Sequence, residues 1–181
     1  MSITAQHVRE TLDAYLAQHP EDKEPLASLL QVLDEAGDAI TSRKEFLGHV
    51  TAGAVLHRPD GRVLTIEHRA LSKWLLPGGH VEEADETLVG AALRELAEET
   101  GIDADDVTLT VDLPVHVDAH IIPANSSKDE PEHLHFDFRF MFHTTVDDIV
   151  LQEEEVTAAS WQSADTLVSE PLRSRVLTTM V

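Results

Sequence analysis

A chain of 181 residues with 34 Asp+Glu against 13 Lys+Arg carries a formal charge of −21, which excludes a duplex nucleic-acid binder, because phosphate contacts need Lys and Arg. This length suits one domain, or one domain with an appendage, and is enough to bury a real core. With no cysteine, no apolar run approaching the roughly 18 residues of a membrane span and no charged-then-apolar leader, the expectation is a cytoplasmic protein without a membrane partner.

Residues 4–18 place Val8, Leu12 and Tyr15 at i, i+4 and i+7, and residues 24–36 place Leu26, Leu29, Leu30 and Leu33 on one stripe. Pro20 and Pro25 fall between the two patterns, so residues 1–46 read as an N-terminal helical hairpin. Packing is its simplest role, ahead of a dimer contact or a wall of a substrate site. From Gly48 the period changes to that of strands. Val50 to Leu56 and Arg62 to Glu67 flank Arg58-Pro59-Asp60-Gly61, a turn signal between two β-rich runs, and predict a hairpin. Residues 57–81 hold Arg58, Arg62, Arg69 and Lys73 against only Asp60 and Glu67. Trp74, just before Pro77-Gly78-Gly79, is read as a core anchor rather than a base-stacking surface.

The segment from Leu76 to Ile102 is the densest in chemistry. Glycines at 78 and 79 can bring backbone close to a ligand, and a helix follows. Counted at about 100° per residue from Glu95, Glu98 falls near 300° and Glu99 near 40°, so these carboxylates share an arc of about 100°. Val89, Leu93, Leu96 and Thr100 fall at about 100–160° as a separate apolar stripe for the core, while Ala91 and Ala92 share the carboxylate side and leave room there. Like charges at i,i+3 and i,i+4 cost a helix roughly 0.2–0.5 kcal/mol each; a divalent cation reverses that sign. Gly101 predicts the stop.

Strands are expected near 107–120, 133–145 and 156–161, and helical stretches near 163–169 and 171–179. On the first two strands His116, Asp118 and His120 alternate, as do His133, His135, Asp137 and Arg139, so that each set projects from one face. Leu134, Phe136, Phe138 and Phe140 mark the other face as core. The polar face reads equally as the solvated side of a sheet or as a pocket wall. In the second reading His120, His133 and His135 touch a substrate phosphate, ahead of forming a separate metal site. Glu153-Glu154-Glu155, before the last strand, reads equally as a solvated loop or as the source of a catalytic base.

Gly79, Glu86, Arg94-Glu95-Leu96, Glu98-Glu99 and Gly101-Ile102 resemble the Nudix box, whose pattern is G-x5-E-x7-R-E-U-x-E-E-x-G-U with U a bulky apolar residue. From Glu86 onward the match is complete. Upstream, six residues rather than five separate Gly79 from Glu86, a departure that falls in a loop, where insertions are tolerated. Gly90 stands where many relatives carry glutamate, which deprives a Thr87 N-cap of its capping-box partner.

The resemblance implies a Nudix-type α/β/α sandwich with a mixed sheet over residues 47–181, behind the helical hairpin. It implies a pyrophosphohydrolase that cleaves a diphosphate linkage in a nucleoside diphosphate-X type of small molecule by water attack on phosphorus. Mg2+ or Mn2+ is the implied cofactor, on Glu95, Glu98, Glu99 and the Gly79 carbonyl, with Glu86 and Arg94 as an ion pair that ties loop to helix. The catalytic set is Glu95, Glu98 and, as the candidate base, Glu154, with Arg69 and the three histidines contacting substrate. Nudix enzymes often dimerise, so a homodimer is admitted. An isopentenyl diphosphate isomerase of the same fold would need a catalytic cysteine, which this chain lacks. A catalytically silent Nudix domain that senses a nucleotide-type ligand is the alternative; loss of Glu98 or Glu99 would have favoured it.

Overall fold

The computed structural model describes residues 2–69, 72–151 and 156–180. The helices are α1 (Ala5–Gln18), α2 (Ala27–Ala36), α3 (Leu88–Thr100) and α4 (Glu170–Thr179). The strands are β1 (His49–His57), β2 (Arg62–His68), β3 (Lys73–Leu75), β4 (Gly78–His80), β5 (Val107–Leu109), β6 (His116–Ile122), β7 (His133–Thr144) and β8 (Val156–Ser163). The strands share one sheet of order β3-β2-β1-β7-β5, which β4 joins through β1, β6 through β7 and β8 through β2. Helices with such a sheet make the protein α/β, as expected. Among the described residues no helix is long and apolar enough to cross a membrane.

Contacts gather the residues into two compact units, one of Met1–Ala52, His80–Ala91 and Val117–Phe138, the other of Gly53–Gly79, Ala92–His116 and Arg139–Val181. In the first, Thr4 caps α1 by accepting from the His7 N–H at 3.2 Å, and Val8, Leu12 and Tyr15 are buried as their spacing predicts. Pro20 opens a short 3-10 turn, after which α2 buries Leu29, Val32 and Leu33 and stops at Gly37, whose φ is 53°. The Tyr15 hydroxyl donates to Asp22, and Arg9 pairs with Asp34 at 2.6 Å. The amino-terminal segment also holds the box loop. The Ile3 N–H donates to the Asp85 carbonyl at 3.1 Å, and the Leu88 N–H donates to His7 Nε2 at 3.3 Å, which satisfies one of the orphan donors at the start of α3.

The Glu82 N–H donates to the buried Asp85 carboxylate at 2.8 Å and the Asp85 N–H returns to the Glu82 carbonyl at 3.0 Å, so a tight turn closes the loop between Gly79 and Glu86 ahead of the helix. Thr87 then caps α3, its Oγ1 accepting from the Gly90 N–H at 2.9 Å, and a glutamate at position 90 is not required.

In the second unit the predicted hairpin forms, with Arg58 N–H to the Arg62 carbonyl at 3.0 Å and Gly61 at φ 80°. β8 lies antiparallel to β2, with Leu64 opposite Trp161 and a register shift between Glu67 and His68. Val55, Val63, Val115, Met141, Ala164, Leu167, Leu172 and Val176 form its core.

Three local expectations are corrected. The run near 107–120 divides into β5 and β6, because Pro114 supplies no ladder donor. The stretch near 163–169 is only a 3-10 turn, Ala164–Thr166. Trp74 is 45% exposed on β3 and therefore anchors no core.

Candidate metal-binding and catalytic site

The box helix α3 does not separate a core face from a chemical face. Leu88, Ala91, Ala92, Leu96 and Thr100 are buried, Val89 and Leu93 only partly so, and Glu99 is 3% exposed. The buried arc thus runs through the position of Glu99, and Ala91 and Ala92 fill it rather than leave room on it. Burying a carboxylate demands compensation. Glu99 Oε2 accepts from the Gly78 N–H at 3.0 Å. Glu95 is also largely enclosed, with its side chain 13% exposed, whereas that of Glu98 is 49% exposed.

Arg94 offsets the crowding. Its Nη1 donates to Glu95 Oε1 at 3.0 Å and to Glu98 Oε2 at 2.9 Å, so one guanidinium spans two of the carboxylates. The glycine turn is fitted as closely. A Cβ on Gly79 would sit 2.6 Å from Glu95 Oε1 and 2.7 Å from both Cδ and Oε2, so only glycine leaves Glu95 where it is. One strand away, a Cβ on Gly53 would meet the Pro77 carbonyl at 3.1 Å. The Ala54 N–H donates to that same oxygen at 2.8 Å, pinning the turn to β1. At the far end Gly101 takes φ 69° and donates to the Ala97 carbonyl at 2.9 Å, the left-handed stop predicted for it.

The structure therefore brings Gly78, Gly79, Glu95 and Glu99 into contact and ties Glu98 to Glu95 through Arg94. The donors are all oxygens, a set that fits a hard divalent cation such as Mg2+ or Mn2+. Of the other expected residues, Glu86 lies exposed in the loop before α3 and Arg69 is exposed after β2; Glu154 lies outside the described residues, with Glu153 and Glu155. Gly53 escaped the sequence reading as a positioning residue because a close backbone approach leaves no pattern of its own, and Gly78, read there as a close-approach glycine, turns out to donate to Glu99.

A second group, all in the first unit, is richer than the sequence suggested. His120, His133 and His135 do meet, His120 and His135 with ring centroids 5.8 Å apart and His133 and His135 at 5.1 Å, and His49 and His80 join them. His49 lies 4.5 Å from His135 and 5.1 Å from His80. Neither residue stood out beforehand, since neither has a second histidine two positions away on its strand. Burial first, then the neighbouring histidines, pushes His135 down to about 3. Burial and then His49 push His80 down to about 4, and burial lowers His49 despite its bond to the Glu45 carbonyl.

These shifts carry a sign for stability. The unfolded histidines take up protons near pH 6.5 and the native ones resist, so below about 6.5 the unfolded state binds more protons and is favoured. Their destabilising effect is absent above about 6.5 and grows as the pH falls towards the lowered native values. Thermal melts in metal-free buffer are expected to show Tm falling from pH 7 to pH 5, with a smaller fall in His135→Gln. Equal slopes in the two proteins would refute this assignment.

A model of the NUDIX domain matches residues 47–178. The probable DHNTP pyrophosphohydrolase of Lactococcus lactis subsp. cremoris is 32% identical over 139 residues, 77% of this chain and 76% of that protein. Phosphatase NudJ of Escherichia coli is 52% identical over 61 residues, 33% of this chain and 39% of that protein, so this second match spans less than half of its relative. Among solved structures, the E. coli dihydroneopterin triphosphate pyrophosphohydrolase superposes with a TM-score of 0.58 at 24% identity, covering 71% of this chain and 92% of that one. This likeness shows the Nudix-type α/β/α sandwich fold.

Proposed function

The chain belongs to the Nudix hydrolase family, and from that premise we propose that it is a metal-dependent pyrophosphohydrolase that cleaves a diphosphate linkage in a nucleotide-type small molecule. The observation that carries this reading is the packing of Glu95 against Gly79 with Glu99 buried on the Gly78 N–H. Carboxylates held this way, with no apolar gain from their burial, suit a cation rather than solvent.

In this reading Glu95, Glu98, Glu99 and the Gly79 carbonyl hold Mg2+ or Mn2+, which when bound neutralises developing phosphoryl charge and eases deprotonation of water. Arg94 keeps Glu95 and Glu98 in register on the helix. Glu95 or Glu154 takes the proton from the attacking water. Arg69 contacts the substrate phosphates, a role that offsets the repulsion expected from a chain of net charge −21. Residues 47–181 form the hydrolase domain and residues 1–46 its helical extension, in a cytoplasmic protein able to form a homodimer.

Arg94 acts on positions, not on the reacting atoms. Losing such a supporting partner costs on the order of 10- to 100-fold, so Arg94→Ala is expected to lower kcat within that range, and Arg94→Lys to recover part of it. Unchanged kcat in Arg94→Ala would remove Arg94 from the site.

The general test is turnover. Nucleoside triphosphates, ADP-ribose, nucleotide sugars and dinucleoside polyphosphates are incubated with Mg2+ or Mn2+, and nucleoside monophosphate or pyrophosphate is measured. Dihydroneopterin triphosphate belongs in the panel because a relative matched over 77% of this chain bears the name DHNTP pyrophosphohydrolase. No turnover of any substrate, together with no binding of either metal, would leave the silent ligand-sensing domain as the better reading.

A further inference from the structure

The histidine group outside the box has ring nitrogens whose protonation is set by the backbone. His49 Nδ1 donates to the Glu45 carbonyl at 3.0 Å, and His133 Nδ1 donates to the Pro131 carbonyl at 2.8 Å. A carbonyl oxygen only accepts, so each neutral ring keeps its proton on Nδ1 and presents a lone pair on Nε2. His133 Nε2 lies 3.2 Å from His135 Nε2. His49 is 1% exposed, and its Nε2 is buried with no hydrogen-bond partner, an arrangement that folded proteins rarely leave unexplained. One ring nitrogen from each of His49, His133 and His135 falls within 4.8 Å of the other two.

We propose that His49, His133 and His135 form a binding site for a borderline transition-metal ion, Zn2+ foremost, chemically distinct from the carboxylate set of the box. Imidazole nitrogen suits Zn2+, whereas Mg2+ and Mn2+ prefer oxygen. The Nδ1–H to backbone carbonyl bonds are the kind of outer support that orients histidine ligands. Three imidazoles leave a fourth tetrahedral position for water or an incoming oxygen. A phosphate bound directly is disfavoured at the same spot, because the N–H groups of His49 and His133 that would donate to it are turned to carbonyls. An adjoining set, His120, His135 and Asp137, also lies within 4.8 Å, but Asp137 already accepts from the Thr51 hydroxyl and His120 pairs with Asp118 at 3.0 Å. His135 is common to both sets, so one ion serves.

The test uses the full chain after dialysis against a chelator, and needs no substrate. Co2+ titration is expected to give one equivalent with the intense visible bands of a low-coordinate nitrogen site. Zn2+ should abolish these bands and excess Mg2+ leave them. His133→Gln and His135→Gln are expected to weaken Zn2+ binding by at least about 10- to 100-fold, the loss typical even of outer-shell changes at metal sites, with circular dichroism unchanged. Glu98→Gln should bind Zn2+ as the parent does. The proposal is overturned if the parent shows only weak, octahedral-type Co2+ absorption, if natively folded histidine variants keep parental Zn2+ affinity, or if Glu98→Gln loses the intense bands. Because the parent's Co2+ spectrum is informative alone, a variant that fails to fold does not shelter the idea.

Discussion

Glu98→Gln is expected to reduce kcat by at least about 10³-fold while leaving the fold untouched. A catalytic divalent cation contributes several kcal/mol of transition-state stabilisation, and each 1.36 kcal/mol is a factor of about ten in rate, so replacing one charged ligand by an amide removes a large part of that. Structurally the change is mild. The Glu98 side chain is 49% exposed, and Arg94 keeps its bond to Glu95 at 3.0 Å. Substitutions of this kind change stability by within about 0.5 kcal/mol, or roughly 1–2 °C in Tm for a chain of this size. Steady-state kinetics beside a thermal melt makes the comparison. Wild-type kcat in the variant would show that Glu98 holds no catalytic ion; a collapsed melt would show that it serves the fold instead.

Gly79→Ala should separate activity from stability in the same way, by another route. The added methyl would start 2.6 Å from Glu95 Oε1, closer than nonbonded atoms approach, yet what it meets is the far end of a flexible side chain. Glu95 can swing aside at little cost to folding, but not without leaving its place beside the turn. The expected result is a loss of about 100-fold in kcat, since displacements near 1 Å at a reacting centre cost that much, with Tm shifted by only a few degrees. Full activity in Gly79→Ala would mean that Glu95 works from a position other than the one it occupies here.

Much of the site could be read beforehand because its signals are local. Helix periodicity placed Glu95, Glu98 and Glu99 on neighbouring arcs, a glycine after the last turn predicted the left-handed stop that Gly101 makes at φ 69°, and Arg58-Pro59-Asp60-Gly61 predicted its hairpin. Alternation along β6 and β7 likewise put His120 on one face of its strand and His133 and His135 on one face of theirs, but whether those faces would meet was not legible. Each of these follows from backbone geometry over a few residues, which does not depend on what lies across the chain.

Elsewhere the outcome depended on partners far along the chain. Periodicity fixes the angle between side chains on α3 but not which arc is covered, so the expected stripe of Val89 and Leu93 gave way to one containing Glu99. That residue is buried against a backbone donor, Gly78, which arrives from 21 positions away. Loop composition could not show that Asp85 would close a turn with Glu82, nor that Ile3 and His7 would brace that loop and the helix start. His49 became notable only once the sheet had carried it beside residues more than 80 positions later and left its Nε2 buried without a partner. Residue type and spacing set what each side chain is able to do, by covalent geometry and donor chemistry. Burial, and with it the cost of a charge or a lone pair kept from water, is a property of distant segments meeting, and it is what sets Glu99 and His49 apart from the carboxylates and histidines that face solvent.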